Sequence, residues 1–267
     1  MIKLIITDMD GTLLNKYDEI DPEFWDIEKK LSEKGIIFSI ASGRPYYNLI
    51  KRFDKIKDNL LFICENGSFV MYKGQELFSN PMDTKDVKEI SLVCDRINGI
   101  IPLYCGKKSA YVEKELFLKN TLEAQNEIRK YYNNLELIDN LEDVNDQFVK
   151  IAICDPSGAE KNSYLVLKEY EDKFQVVLSG AVWLDLSKKG TNKGMAIEKI
   201  QEKLNISEDE TVAFGDYLND YEMMKYAKYS YAMKNAHPEL IKISNFVTKD
   251  DNNNNGVTNT IKELFKL

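Results

Sequence analysis

Two aspartates and a glycine close a short apolar run near the start of the chain, Leu4-Ile5-Ile6-Thr7-Asp8-Met9-Asp10-Gly11. The run reads as a buried strand that stops abruptly at carboxylates spaced i, i+2. In open α/β sheets ligands sit just beyond the carboxyl ends of the strands, which is where these side chains would project. Two carboxylates at one strand end repel each other unless a cation or a shared proton relieves them. A polar strand-to-turn junction would use the same residues, because Asp and Gly favour turns. The rest of the chain has to decide.

Three further places could contribute to one chemistry. The apolar stretch Ile36 to Ala41 ends in Ser42-Gly43-Arg44, Lys193-Gly194 enters a helix, and Glu210 to Phe214 ends in Gly215-Asp216-x-x-Asn219-Asp220. In a parallel sheet such strand ends converge although they are distant in sequence. Several carboxylates around one point call for a hard divalent cation, and Mg²⁺ takes one or two protein carboxylates plus waters and a phosphate. Lysine and serine suit phosphate oxygens. A carboxylate held in line can act as nucleophile and divide hydrolysis into two easier steps. Phosphoryl transfer asks mainly for positioning and for neutralisation of the equatorial oxygens. A serine–histidine–acid triad is excluded, because the single histidine, His237, stands before Pro238 at a helix start and reads as a cap. No Gly-x-x-x-x-Gly-Lys-Ser/Thr loop is present, so the chain is not a P-loop nucleotide hydrolase.

The positioning elements follow from the pattern of apolar runs and breakers. Strand, helix, strand, helix, strand over the first 65 or so residues predicts an α/β fold, a doubly wound, Rossmann-like parallel sheet. A helix is expected from Asp21-Pro22 to Lys34, and a hairpin turning at Lys73-Gly74. From Asn80-Pro81 the texture changes to strands of mixed spacing between helices, which predicts an inserted α+β domain. Long helices are expected there from Glu115 to about Tyr132 and from Ser157 to Tyr170. The expected domains are a core over 1–81 and 186–267 and an inserted cap over 82–185. The run Asn252 to Asn255 reads as an exposed turn or loop.

With 267 residues, 43% hydrophobic and 30% charged, the chain has the composition of a globular protein. A net charge of -8 argues against a nonspecific nucleic-acid binder. The cysteines Cys64, Cys94, Cys105 and Cys154 form no C-x-x-C pair and read as reduced, buried thiols. No stretch approaches the ~20 apolar residues needed to span a bilayer. Acidic residues arrive too early for a signal peptide, so a cytoplasmic location and no membrane partner are expected.

Taken in order, Asp8-Met9-Asp10-Gly11-Thr12-Leu13, Ser42-Gly43-Arg44, Lys193-Gly194 and Gly215-Asp216-x-x-Asn219-Asp220 closely resemble the four motifs of haloacid dehalogenase-like phosphohydrolases. The insert between the second and third motifs is similar to that of the Cof-type subfamily, as are Glu65-Asn66-Gly67, Ala232-Met233-x-Asn235-Ala236 and Asp251 through Gly256-Val257. The resemblance implies that Asp8 is the nucleophile of an aspartyl-phosphate intermediate. Asp10 would protonate the leaving alkoxide and then deprotonate water, and its backbone carbonyl would join Asp8 and Asp216 around Mg²⁺. Ser42, the Gly43 amide and the Met9 amide would hold the phosphoryl group, with Lys193 neutralising it. Asn219 would meet the phosphate or the loop around it, and Asp220 would orient Lys193 or a water at the metal. Arg44 would reach substrate or pair with a surface carboxylate. Asn66-Gly67 would shape the mouth of the site or be a plain turn, and Asn235 would brace the metal loop. Tyr104, Lys107, Lys108, Tyr111 and Arg129 are the cap's candidates for substrate contact. The implied activity is a phosphatase of small phosphorylated metabolites, sugar phosphates or phosphorylated cofactors and their precursors, working as a monomer or weak dimer. A phosphomutase or phosphotransferase on the same scaffold, or a phosphate-ligand sensor without turnover, would carry the same residues.

Overall fold

The N-terminal apolar run forms a strand to which the largest sheet adds on both sides. In the computed structural model, which describes residues 1–267, it is β1 (Leu4–Asp8), and every residue in it is buried. Then come α1 (Phe24–Glu33), β2 (Ile37–Ala41), α2 (Tyr46–Arg52), β3 (Leu61–Cys64), β4 (Phe69–Tyr72) and β5 (Gln75–Ser79). The β4–β5 hairpin turns at Lys73 and Gly74, both with positive φ, the geometry that matches the twist of two antiparallel strands. The next stretch carries α3 (Thr84–Cys94), β6 (Ile101–Gly106), β7 (Ala110–Glu113), α4 (Lys114–Lys119), α5 (Leu122–Tyr131) and β8 (Leu135–Ile138). It continues with β9 (Phe148–Cys154), α6 (Ser163–Leu167), β10 (Phe174–Gly180) and β11 (Trp183–Lys188). The chain ends with α7 (Lys193–Leu204), β12 (Thr211–Gly215), α8 (Tyr221–Lys225), β13 (Tyr229–Ala232), α9 (Pro238–Ile243), β14 (Phe246–Val247) and α10 (Gly256–Phe265).

The chain divides into two compact units, one made of Met1–Gly43, Phe53–Phe78 and Asn192–Leu267, the other of Arg44–Arg52 and Ser79–Thr191. The first unit contains the eight-stranded sheet in the order β14-β13-β12-β1-β2-β3-β4-β5. All pairs from β14 to β3 are parallel, and β4 runs antiparallel at the end of that series. β1, β3 and β12 are buried along their whole length, as strands covered by helices on both faces must be. The helices pack in pairs, α1 with α10 and α7 with α8. Strand order reverses at β1, with β2 on one side and β12 on the other, and such a reversal opens the crevice where α/β sheets bind ligands.

The second unit is built on a six-stranded sheet, β10-β11-β9-β6-β7-β8, antiparallel except between β7 and β8. Alternation along β9 sorts its side chains by face. Ile151 and Ile153 join Val87, Ile90 and Leu167 in one core, while Ala152 and Cys154 join Phe117, Ala124 and Ile128 in another. The expected helix from Glu115 to Tyr132 is in fact α4 and α5. It breaks because Asn120 is extended and the Thr121 hydroxyl accepts the Ala124 N–H, starting a new helix. The expected helix from Ser157 to Tyr170 shrinks to the short α6 between 3₁₀ turns, after Gly158 at φ 104° and an irregular Asn162. No helix is long and apolar enough to cross a membrane. The four cysteines are free and buried.

Candidate active site

Register in the first unit brings the chemistry-bearing segments together. Asp8 pairs with Ala41, so Ser42 begins beside the end of β1. Thr7 pairs with Phe214, which sets Asp8 level with Gly215 and places Asp216 one residue beyond. Gly11 then turns the chain at φ 80°. Any side chain on it would collide with the Asp216 carboxylate, so glycine is required by both the dihedral and the space. The turn is closed by Thr12 and Leu14 N–H groups on the Met9 carbonyl and by Leu13 N–H on the Asp8 carbonyl.

At the centre lies a buried lysine between two carboxylates. Lys193 Nζ donates to Asp8 Oδ1 at 2.5 Å and to Asp220 Oδ1 at 2.7 Å, and neither Lys193 nor Asp220 has any exposed side-chain surface. Asn192 caps α7 by accepting the Met195 N–H, which fixes Lys193 at the first turn. Asp220 Oδ2 accepts the N–H groups of Asp216 and Tyr217, so both oxygens of Asp220 are committed. Asp216 Oδ1 takes the Thr12 hydroxyl at 3.1 Å, and its own carbonyl accepts the His237 N–H. His237 is the cap of α9, accepting the Glu239 N–H on Nδ1, as its sequence context implies.

The electrostatics follow from this packing. Burial pushes the Asp8 carboxyl well above its usual range; the Lys193 ammonium opposes this, and the charges of Asp220 and Asp216 add to it. Burial also works against the charge on Lys193, but Asp220 and Asp8 outweigh it and hold the amine above the ordinary lysine value. Asp216 is raised to about 6 by burial and then by Asp220, with exposed Asp10 close enough to add to the effect.

Asp8, Asp216 and Asp220 present carboxylate oxygens within 4.8 Å of one another, against one ammonium. A hard divalent cation fits this excess of negative charge. Asp220 is the wrong member of the three to ligate it, because Lys193 and two backbone amides occupy its oxygens. Of the three, Asp8 and Asp216 would each have Oδ2 open to such a cation, since their Oδ1 atoms accept from Lys193 and Thr12.

The other expected residues are placed as follows. Met9 and Ser42 are buried, and Gly43 is half-buried. Ser42 is tied to β3 by its N–H on the Ile63 carbonyl. Asn219 is exposed, its Nδ2 3.5 Å from Asn66 Oδ1. Arg44 belongs to the second unit. Residues 5–261 match the haloacid dehalogenase-like hydrolase family. The chain belongs to that family.

Its relatives agree over full length. The 5-amino-6-(5-phospho-D-ribitylamino)uracil phosphatase YbjI of Escherichia coli is 32% identical, across 99% of this chain and 97% of its own. The solved structure of SMU.1108c from Streptococcus mutans is 29% identical and superposes with a TM-score of 0.86, covering 100% of both chains. TM0651 from Thermotoga maritima, 25% identical, superposes at 0.85 over 98% of this chain and 97% of that one.

As a haloacid dehalogenase-like hydrolase the chain has supports that sequence reasoning passed over. Thr12 holds Asp216, a role its position in the first motif did not announce. The asparagine run is more than an exposed turn. Asn252 Nδ2 donates to the Leu14 carbonyl and Asn253 Oδ1 accepts the Lys16 N–H, while Asn235, expected near this loop, bridges the Gly11 carbonyl and the Asn252 N–H. These bonds pin the loop that follows Asp8 from the far end of the chain. Among the proposed cap contacts, Tyr104 and Tyr111 are core residues, hydrogen-bonded to Ser91 and Asp146. Lys107 and Lys108 are bonded to Gln147 and to the Asn145 carbonyl, and Arg129 lies over the Phe117 ring.

Proposed function

We propose that this hydrolase is a Mg²⁺-dependent phosphatase of small phosphorylated metabolites, acting in the cytoplasm through an aspartyl-phosphate intermediate. The observation that carries the reading is the buried Asp8–Lys193–Asp220 set, with Asp216 beside it, at the reversal point of the parallel sheet. Lys193 favours the ionised, nucleophilic form of Asp8 and balances charge on the phosphoryl oxygens. Asp220 keeps the lysine in place. The Asp8 carboxylate attacks phosphorus, the ester P–O bond breaks, and the Asp10 carboxyl gives its proton to the leaving alkoxide. The Asp10 carboxylate then takes a proton from water, whose oxygen attacks phosphorus. The bond to Asp8 breaks and inorganic phosphate leaves. Ser42 and the amides of Met9 and Gly43 orient the phosphoryl group, with Asn219 at its edge. Mg²⁺ held by Asp8, Asp216 and the Asp10 carbonyl would supply further neutralisation of the phosphoryl oxygens.

The relative YbjI is named for a ribityl phosphate, a primary ester on a polyol, which supports small hydroxylated phosphate esters as the first substrates to try. Phosphate release from 4-nitrophenyl phosphate and from a panel of sugar, polyol and cofactor-precursor phosphates tests the reading. It predicts release with Mg²⁺, none with a chelator, and return of activity when Mg²⁺ is restored. Release indifferent to chelation would remove the metal, and silence across the panel would overturn the phosphatase assignment.

A further inference from the structure

Three consecutive residues after β3 have positive φ: Glu65 at 51°, Asn66 at 53° and Gly67 at 104°. Side chains seldom adopt this region, and such backbone persists where the surroundings impose it, often at functional sites. The contacts of this left-handed turn show what it places. The Asn66 N–H donates to the Ser42 carbonyl at 3.0 Å. A methyl group on Gly43 would lie 3.0 Å from Asn66 Nδ2, so the carboxamide rests directly on Gly43. Asn66 Oδ1 faces Asn219 Nδ2 at 3.5 Å. Gly67 lies so close to the Asn192 carbonyl and the Lys193 N–H that no side chain fits there. One turn thus touches the segments of Ser42-Gly43, of Lys193 and of Asn219.

Oδ1 faces Asn219, and Nδ2, without a protein acceptor, is the carboxamide atom closest to where a Gly43 methyl would sit, 3.0 Å against 3.3 Å for Oδ1. Asparagine is also the side chain best suited to a left-handed position beside glycine. We propose that Asn66 is a phosphate-binding residue whose Nδ2 donates to a non-bridging oxygen of the substrate's phosphoryl group, with Asn219 fixing the carboxamide's orientation. This rests on the phosphatase reading, in which Ser42 and Gly43 hold that group.

The test is calorimetric binding of inorganic phosphate, in the presence of Mg²⁺, to wild type, Asn66→Gly and Asn66→Asp. Glycine suits the left-handed turn, and aspartate keeps the shape while replacing the donor with a negative acceptor. The expected result is a Kd about tenfold weaker for Asn66→Gly, the worth of one hydrogen bond to a charged group, with an unchanged or higher Tm. Asn66→Asp should lose about a hundredfold or more, through repulsion added to the lost bond. Phosphate binding by either variant within twofold of wild type would overturn the proposal. So would weakened binding of Asn66→Gly that comes with a fallen Tm, because the residue would then act through the fold. Turnover of 4-nitrophenyl phosphate by wild type separates the two claims. Absent turnover with the expected loss of phosphate affinity would sink the phosphatase reading and leave Asn66 as an anion-binding residue. Absent phosphate binding by wild type would sink both.

Discussion

At the scale of single residues the site is a problem of crowded charge. Asp8, Asp216 and Asp220 surround one buried ammonium, and the chain has spent Asp220 on holding it. Burial, then the Asp220 charge, lifts the Asp216 carboxyl from 3.8 to about 6. An acid whose pKa is higher folded than unfolded favours folding while it is protonated. That contribution is whole below the unfolded value and disappears as pH rises through the folded one. Metal-free wild type should therefore lose Tm relative to Asp216→Asn as pH climbs from about 4 to about 7. Added Mg²⁺, which competes with the proton for the same oxygens, should raise the wild-type Tm more at neutral pH than at pH 5. Thermal scans of both proteins across that range, with and without Mg²⁺, check this. A pH-independent gap between the two metal-free proteins would contradict the assignment of strained charge to Asp216.

At the scale of elements, the strand ends were legible because parallel strands buried on both faces are short apolar runs, and the residues that interrupt them are the ones with chemistry. Leu4 to Asp8, Ile37 to Ala41 and Thr211 to Gly215 could be read this way, and so could the convergence of Asp8, Ser42 and Asp216. What a local pattern cannot carry is long-range polar support. The bonds from Asn252 to Leu14 and from Thr12 to Asp216 join residues more than two hundred positions apart. The break at Thr121 was hidden because the apolar periodicity runs through it, and β8 because its half-exposed residues show no alternation. The second unit adds a feature that composition would not suggest. Lys150 on β9 and Asp185 on β11 form an ion pair at 3.3 Å, with side chains only 4% and 11% exposed, among apolar neighbours. Removing one member strands the other's charge, whereas replacing both restores an apolar face. Lys150→Met should cost about 3 kcal/mol in urea unfolding, and Lys150→Met combined with Asp185→Leu should recover most of it. A double variant as unstable as the single one would show that the pair is not what sets the cost.

At the scale of the whole molecule, this haloacid dehalogenase-like hydrolase carries its carboxylate and lysine cluster in the unit of the eight-stranded sheet, and the second unit, Arg44–Arg52 and Ser79–Thr191, has apolar cores of its own. The overall charge of -8 does not bar the proposed anion site, because a buried lysine, backbone amides and the proposed Mg²⁺ would offset the carboxylates locally. Asp8 is the proposed acceptor of the phosphoryl moiety. The most direct measurement is mass analysis of protein quenched in acid during turnover of an aryl phosphate, followed by peptide mapping. One phosphoryl group is expected on the peptide containing Asp8, absent from Asp8→Asn, which also releases no phosphate although it folds. Turnover that leaves no adduct on that peptide and survives Asp8→Asn would contradict it.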